Sequence, residues 1–265
     1  MVTSARVRHG WAEHDGRRLH HLDFGGEGRP VVCVHGVTSC AWVWHHTAAG
    51  LGRVVAVDLR GHGDSGWAPA DRYRTVDHAG DLRALLVSLG GPADVVGSSW
   101  GALVSLAVAA ANPGLVHRLV LVDIEPSFTQ SETDVPPRPA CFDGLADAAA
   151  AWRANNPGAP DDLVRLLAAA STRPGPDGGL VPAHDPLFLA RWPFRSEDWW
   201  DALGAVGAPT LVVRATRSWV RAEVCDRMAA RLPRAERADV DSAHVVPVDA
   251  PDALVRTVAP FLARE

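Results

Sequence analysis

Ala93-Asp94-Val95-Val96-Gly97-Ser98-Ser99-Trp100-Gly101-Ala102 decides the fold of this 265-residue chain. Its first half is a short apolar run, the pattern of a strand buried on both faces. Its second half opens a helical pattern that continues from Gly101 to Ala111. Between them stands Gly97-Ser98-Ser99-Trp100-Gly101, a Gly-x-Ser-x-Gly in the strand–turn–helix setting that makes it a nucleophile elbow. Such a turn brings the residues two before and two after the serine almost into contact with neighbouring backbone, so both must be small, as Gly97 and Gly101 are. Ser99 is expected in a strained conformation at the carboxyl edge of a sheet, its Oγ exposed at a helix N-terminus.

The same alternation extends outward. Pro30-Val-Val-Cys-Val-His, Arg53-Val-Val-Ala-Val-Asp and Arg118-Leu-Val-Leu-Val-Asp are further Val-rich runs. Helical patterns at Ala41 to Leu51 and Thr75 to Leu89 separate them. Strand and helix alternating in this way predict a doubly wound, mostly parallel α/β sheet. From Pro126 to about Phe194 the alternation stops, with no convincing strand. Proline and glycine cluster at Pro136-Pro137-Arg138-Pro139 and Pro174-Gly-Pro-Asp-Gly-Gly, around helical patterns at Cys141 to Ala154 and Asp161 to Ala170. After it come a helix (Ser196 to Leu203), a strand (Thr210 to Arg214), a helix (Glu223 to Leu232), a strand (Ala235 to Val240) and a last helix (Pro251 to Ala263). The expected organisation is a core of residues 1–125 and 195–265 and a helical cap of residues 126–194.

Composition narrows the function. Apolar residues make up 47% and the net charge is −5, against a nucleic-acid binder. All 26 cationic residues are arginine. Without lysine there is no Schiff-base lysine, Walker A loop or Ser-x-x-Lys site. Cys33, Cys40, Cys141 and Cys225 form no Cys-x-x-Cys pair, so neither a disulfide framework nor a zinc site is expected. No apolar run approaches a membrane span, and Met1 to Arg6 lacks the apolar stretch of a secretory signal. The expectation is a cytoplasmic monomer or homodimer acting on a small molecule, with no cofactor, metal, nucleic-acid or membrane partner.

The series His35-Gly36-Val37-Thr38, Asp58-Leu-Arg-Gly-His-Gly-Asp-Ser65, Gly97-Ser-Ser-Trp-Gly101 and a late histidine resembles the α/β-hydrolase fold superfamily over nearly the whole chain. The resemblance implies an eight-stranded core under a helical cap. It implies an oxyanion hole made by the backbone N–H groups of Val37 and Trp100, with Gly36 allowing close backbone approach to substrate. His35 and the Asp58 to Ser65 segment are read as loop braces. The base belongs in the loop after the last strand, where Asp241-Ser-Ala-His244 makes His244 the candidate. A serine nucleophile sets the chain apart from the dehalogenase and epoxide-hydrolase branches, which use a carboxylate there.

The acid departs from that pattern. Chains similar to this one read Arg-Ser-Asp-Val after the Thr210 strand; here Arg217-Ser218-Trp219-Val220 puts Trp219 at the carboxylate's place. Either the acid has moved to the end of the strand after the nucleophile, as in some branches of the superfamily, or the site is a Ser–His dyad. Asp123 matches the moved position best, and Glu125, two residues on, could point the same way. Ten tryptophans add a further expectation: Trp42 and Trp219, with Gly36, line the pocket, and Trp100 lies close to it. The resulting reading is a serine hydrolase cleaving an ester or lactone of a bulky apolar or aromatic molecule through an acyl-serine. Its alternatives are a C–C bond hydrolase or non-hydrolytic cyclase on the same fold, and a non-catalytic small-molecule receptor.

Overall fold

The computed structural model describes residues 7–127 and 138–264. Pro136 and Pro137, like Met1 to Arg6, lie outside the described residues.

Eight strands form one sheet in the order β1-β2-β4-β3-β5-β6-β9-β10. They are β1 (Arg8–His14), β2 (Arg17–Gly25), β3 (Val31–Val34), β4 (Val54–Val57), β5 (Ala93–Ser98), β6 (Val116–Val122), β9 (Thr210–Ala215) and β10 (Ala235–Val240). β1–β2 and β2–β4 pair antiparallel and the other neighbours parallel. Successive residues of the central strands feed opposite cores, as the two-residue period of a strand requires. Val32, Val34, Val95, Leu119 and Leu121 enter one apolar cluster. Val31, Cys33, Val96, Val120 and Val122 enter the other.

Helices cover both faces. Over the first cluster lie α2 (Thr75–Ser88), α3 (Trp100–Ala111) and α7 (Ala222–Arg231). Over the second lie α1 (His45–Ala48) and α9 (Pro251–Leu262). Between β6 and β9 the chain leaves the sheet for α4 (Leu145–Asn155), α5 (Asp161–Ala170), a small antiparallel hairpin of β7 (Thr172–Pro174) and β8 (Leu180–Pro182), and α6 (Leu187–Ala190). This insertion is not detached: Leu163, Val164 and Leu167 of α5 are buried in the same cluster as Trp44. A further short helix, α8 (Val246–Asp249), precedes α9. Among the described residues no helix is long and apolar enough to cross a membrane.

Four local readings are corrected. The β1–β2 hairpin precedes the first expected strand; its turn, Asp15-Gly16 with φ of 50° and 70°, is the left-handed pair that two-residue hairpins favour. The insertion, read as strandless, holds β7 and β8, whose three-residue length leaves no periodicity to read. Ser196 to Leu203 is no helix: it runs between 3-10 turns at Pro193–Ser196 and Asp201–Ala205. The Ala41 to Leu51 pattern is a 3-10 turn at Ala41–Trp44 followed by the four residues of α1.

The sheet order fixes the site. β3 pairs with β4 on one side and β5 on the other, so the loops leaving β3 and β5 diverge and open a crevice at their carboxyl ends. Helix α3 starts in that crevice, close against β3. A Cβ on Gly101 would lie 2.3 Å from the Val34 carbonyl oxygen and 2.5 Å from that of His35. Gly101→Ala is therefore expected to cost about 1–3 kcal/mol or more, as other overpacked cores do. Gly91→Ala, where nothing lies within 4 Å, should shift stability by no more than about 0.5 kcal/mol. Urea unfolding of both variants is the check, and equal stabilities would contradict the packing argument.

Candidate active site

Ser99 lies between β5 and α3 with φ 54° and ψ −128°, outside the ordinary basins of a non-glycine residue. The Gly97 and Gly101 approaches and the Ser99 N–H bond to the Val122 carbonyl (2.9 Å) hold it there. Its Oγ donates to Nε2 of His244 at 2.9 Å. His244 Nδ1 donates to Oδ2 of Asp123 at 2.6 Å. Asp123 is fully buried, at the end of β6 with φ 50°. Its other oxygen accepts the Ala215 N–H of β9 at 2.8 Å. A carboxylate that only accepts places the His244 proton on Nδ1 and leaves Nε2 free to take the Ser99 proton.

The loop of His244 is braced by Asp249, a buried residue of α8 that sequence reading did not single out. Asp249 accepts the Ala243 N–H (2.7 Å), the Arg217 guanidinium (2.9 Å) and, from the insertion, the Gly158 N–H (2.7 Å). Glu125 lies on the cavity wall, where burial raises its pKa against the Arg221 charge and the Arg221 backbone N–H. Of the two acids considered, Asp123 is the one on Nδ1. In the loop after β9, Ser218 Oγ stands 3.4 Å from His244 Nδ1 and the Trp219 ring lies 5.4 Å from the imidazole.

The loop after β3 faces Ser99. A Cβ on Gly36 would fall 2.9 Å from the Ser99 Cβ, so only glycine lets the loop come this close. Two buried histidines aim its peptides. His35 accepts the Leu59 N–H at Nε2 (3.0 Å) and donates from Nδ1 to the Gly36 carbonyl (2.7 Å). A trans peptide points its N–H opposite to its C=O, so this bond also sets the direction of the Val37 N–H. His62 donates to the Arg60 carbonyl (2.9 Å) and accepts the Thr38 N–H (3.0 Å). The Trp100 N–H begins α3, where no intrahelical acceptor exists. Asp58 ties the frame together: it accepts from His20 (2.7 Å) and from the Ala41 (2.6 Å) and Asp64 (3.1 Å) amides.

A cavity of about 980 Å³ opens over Ser99. The β3 loop and His244 form its floor, and the insertion supplies Phe142, Trp152, His184 and Trp192 opposite. Gly36 and Trp219 line it as expected. Trp42 does not: in the 3-10 turn it points away, against Phe24 and His45, and Val43 takes the wall position. The Trp100 side chain is also turned away, buried with its Nε1 donating to Thr75 Oγ1 (2.9 Å) and its ring against His78 and Phe194. Among the described residues His9, His20 and Asp64 form a group of metal-ligand geometry, with donor atoms within 4.8 Å of one another. The His9 and His20 rings hydrogen-bond each other there at 2.8 Å.

A sheet of this order with a serine elbow, a late histidine and a buried aspartate defines an α/β hydrolase, and comparison with known proteins agrees. The alpha/beta hydrolase fold family matches residues 29–166. The lipase LipV of Mycobacterium tuberculosis is 33% identical over 250 residues, 86% of this chain and 92% of the lipase. An esterase of the same organism is 38% identical over 116 residues, a match spanning 43% of this chain and 39% of the esterase. The crystal structure of E-2-(acetamidomethylene)succinate hydrolase superposes with a TM-score of 0.84 at 25% identity, covering 98% of this chain and all of that one. The chain belongs to the α/β-hydrolase fold family and is a hydrolase.

Burial lowers the pKa of His35 and takes His62 well below its ordinary value; His78 falls to about 3 for the same reason. The unfolded chain, with histidines near pH 6.5, then binds more protons than the folded one at mildly acid pH. This stability is complete above about pH 6.5 and is lost as pH falls below it towards the folded pKa values. Calorimetry should show the melting temperature falling between pH 7.5 and 5; a flat or rising profile would contradict the buried neutral rings.

Proposed function

We propose that the chain is a serine hydrolase that cleaves an ester or lactone through an acyl-serine. The observation that carries this reading is the relay Ser99 Oγ, His244, Asp123, with bonds of 2.9 and 2.6 Å, at the floor of a cavity. Ser99 attacks the carbonyl and His244 takes its proton. The N–H groups of Val37 and Trp100 receive the oxyanion. Asp123 holds the imidazole in the productive tautomer and stabilises the imidazolium. His244 then protonates the leaving alcohol, and water activated by the same ring releases the acid. The cycle uses no cofactor.

The insertion acts as a cap that selects the substrate. Its Phe142, Trp152 and Trp192, with Trp219 of the core, suit an apolar or aromatic body, and the volume is at the upper end of the range of roughly 300–1,000 Å³ for small-molecule sites. A C–C hydrolase or cyclase would suit a site without an acid, whereas a carboxylate stands 2.6 Å from His244. A receptor has no use for the strained Ser99 conformation. Hydrolysis in heavy-oxygen water should place the label in the acid product, which a cyclase would not do.

A fluorophosphonate should label Ser99, and Ser99→Ala should abolish turnover of p-nitrophenyl esters with the fold unchanged. Labelling at Ser98, or undiminished activity, would contradict the assignment. Asp123→Asn should lower kcat by about 10⁴, the size of the corresponding loss in a serine protease, with Glu125→Gln costing far less. Steady-state kinetics of the two variants decide; equal losses would contradict the assignment of Asp123 as the acid.

A further inference from the structure

The walls of the cavity are more cationic than the chain. Among the described lining residues, arginines at 138, 195, 221 and 227 face only two acids, Glu125 and Asp198, although the whole chain carries a net charge of −5. The acids are already answered. Glu125 has the Arg221 backbone N–H and the charges of Arg221 and Arg227, and Asp198 accepts the Trp200 N–H at 2.9 Å.

Arg138 is not answered in that way. It is exposed to the cavity, and among the described residues no carboxylate pairs with it. Burial lowers its pKa, and among the described residues no acid offsets the shift. Its guanidinium sits 5.3 Å over the Trp192 ring, which Arg195 approaches at 5.6 Å. One Nη donates to Thr38 Oγ1, whose own hydrogen goes to the Val37 carbonyl at 2.7 Å. Thr38 follows the loop that faces Ser99, and two residues of chain reach at most roughly 7 Å. Arg138 therefore stands a few bonds from where a carbonyl bound to Ser99 would lie. A guanidinium has five N–H donors in a planar fork that fits a carboxylate.

We propose that the substrate carries a carboxylate on its acyl side, a few bonds from the scissile carbonyl, and that Arg138 receives it while the apolar body lies against the tryptophans. This rests on the serine-hydrolase reading and adds to it the class of substrate. The rival reading is that Arg138 merely braces the Thr38 loop.

Two esters of equal length separate these readings. p-Nitrophenyl hydrogen adipate ends in a carboxylate where p-nitrophenyl hexanoate ends in a methyl. The wild-type kcat/KM should favour the adipate by about 10- to 100-fold, the scale of one hydrogen bond to a charged group, with the difference in KM. Arg138→Gln should bring that ratio towards one, and Arg138→Lys should retain part of it by keeping the charge. A wild-type ratio near one overturns the inference and leaves the hydrolase reading standing. So does an Arg138→Gln loss that is equal for both esters, the signature of a loop brace. If neither ester shows Ser99-dependent turnover and the fluorophosphonate fails to label Ser99, the hydrolase reading falls and the inference with it.

Discussion

The site depends on a contact between backbones. Where α3 begins, Gly101 lies against the Val34 and His35 carbonyls, and Gly97 lies against Gly101, with a Cβ at 97 only 2.4 Å from its carbonyl oxygen. Hydrogen in place of a side chain at both positions lets the β5–α3 turn close tightly enough to force Ser99 to φ 54°. That conformation lifts the hydroxyl off the sheet towards the cavity and puts the Trp100 N–H at the first position of a helix. Strain at Ser99 persists because the packed strands around it overdetermine the turn.

A second layer of buried polar groups then holds the facing loop. His35 and His62 each accept one N–H and donate one, so each is satisfied as a neutral ring. Protonating either would set two donors against each other in a fully buried place. Asp58 anchors the segment that carries His62 by accepting from His20 of β2, from the Ala41 N–H, and from the Asp64 N–H within the segment itself. The same residue types could have been misread as ligands or catalysts; their burial and complete pairing assign them to aiming peptide groups.

Much of this was legible from the chain, for identifiable reasons. The central parallel strands are apolar on both faces, so Val95-Val96 or Leu119 to Val122 read as strands. The elbow is readable because sterics demand glycine at fixed offsets from Ser99. The β1–β2 pair was not legible, since its polar, histidine-rich strands lie at the sheet edge and only Asp15-Gly16 signalled a turn. The hairpin in the insertion is too short for a period. Side-chain direction in a 3-10 turn has no sequence signature either, so Trp42 and Val43 exchanged places. Asp249 and Arg138 hydrogen-bond partners 91 and 100 residues away, and nothing local marks them.

The acid is the hardest case, because two carboxylates two residues apart were compatible with the sequence. The positive φ of Asp123 turns the chain as it leaves β6, so the next residues do not continue the strand's alternation. Asp123 is thereby held under His244 by the Ala215 amide, and Glu125 is carried to the cavity wall. The proton on His244 Nδ1 reports this arrangement directly. Proton NMR at low temperature should show a far-downfield, exchange-protected resonance correlated to that nitrogen. It should vanish in Asp123→Asn and remain in Glu125→Gln. A resonance that survives loss of the Asp123 charge, or disappears with that of Glu125, would contradict the account.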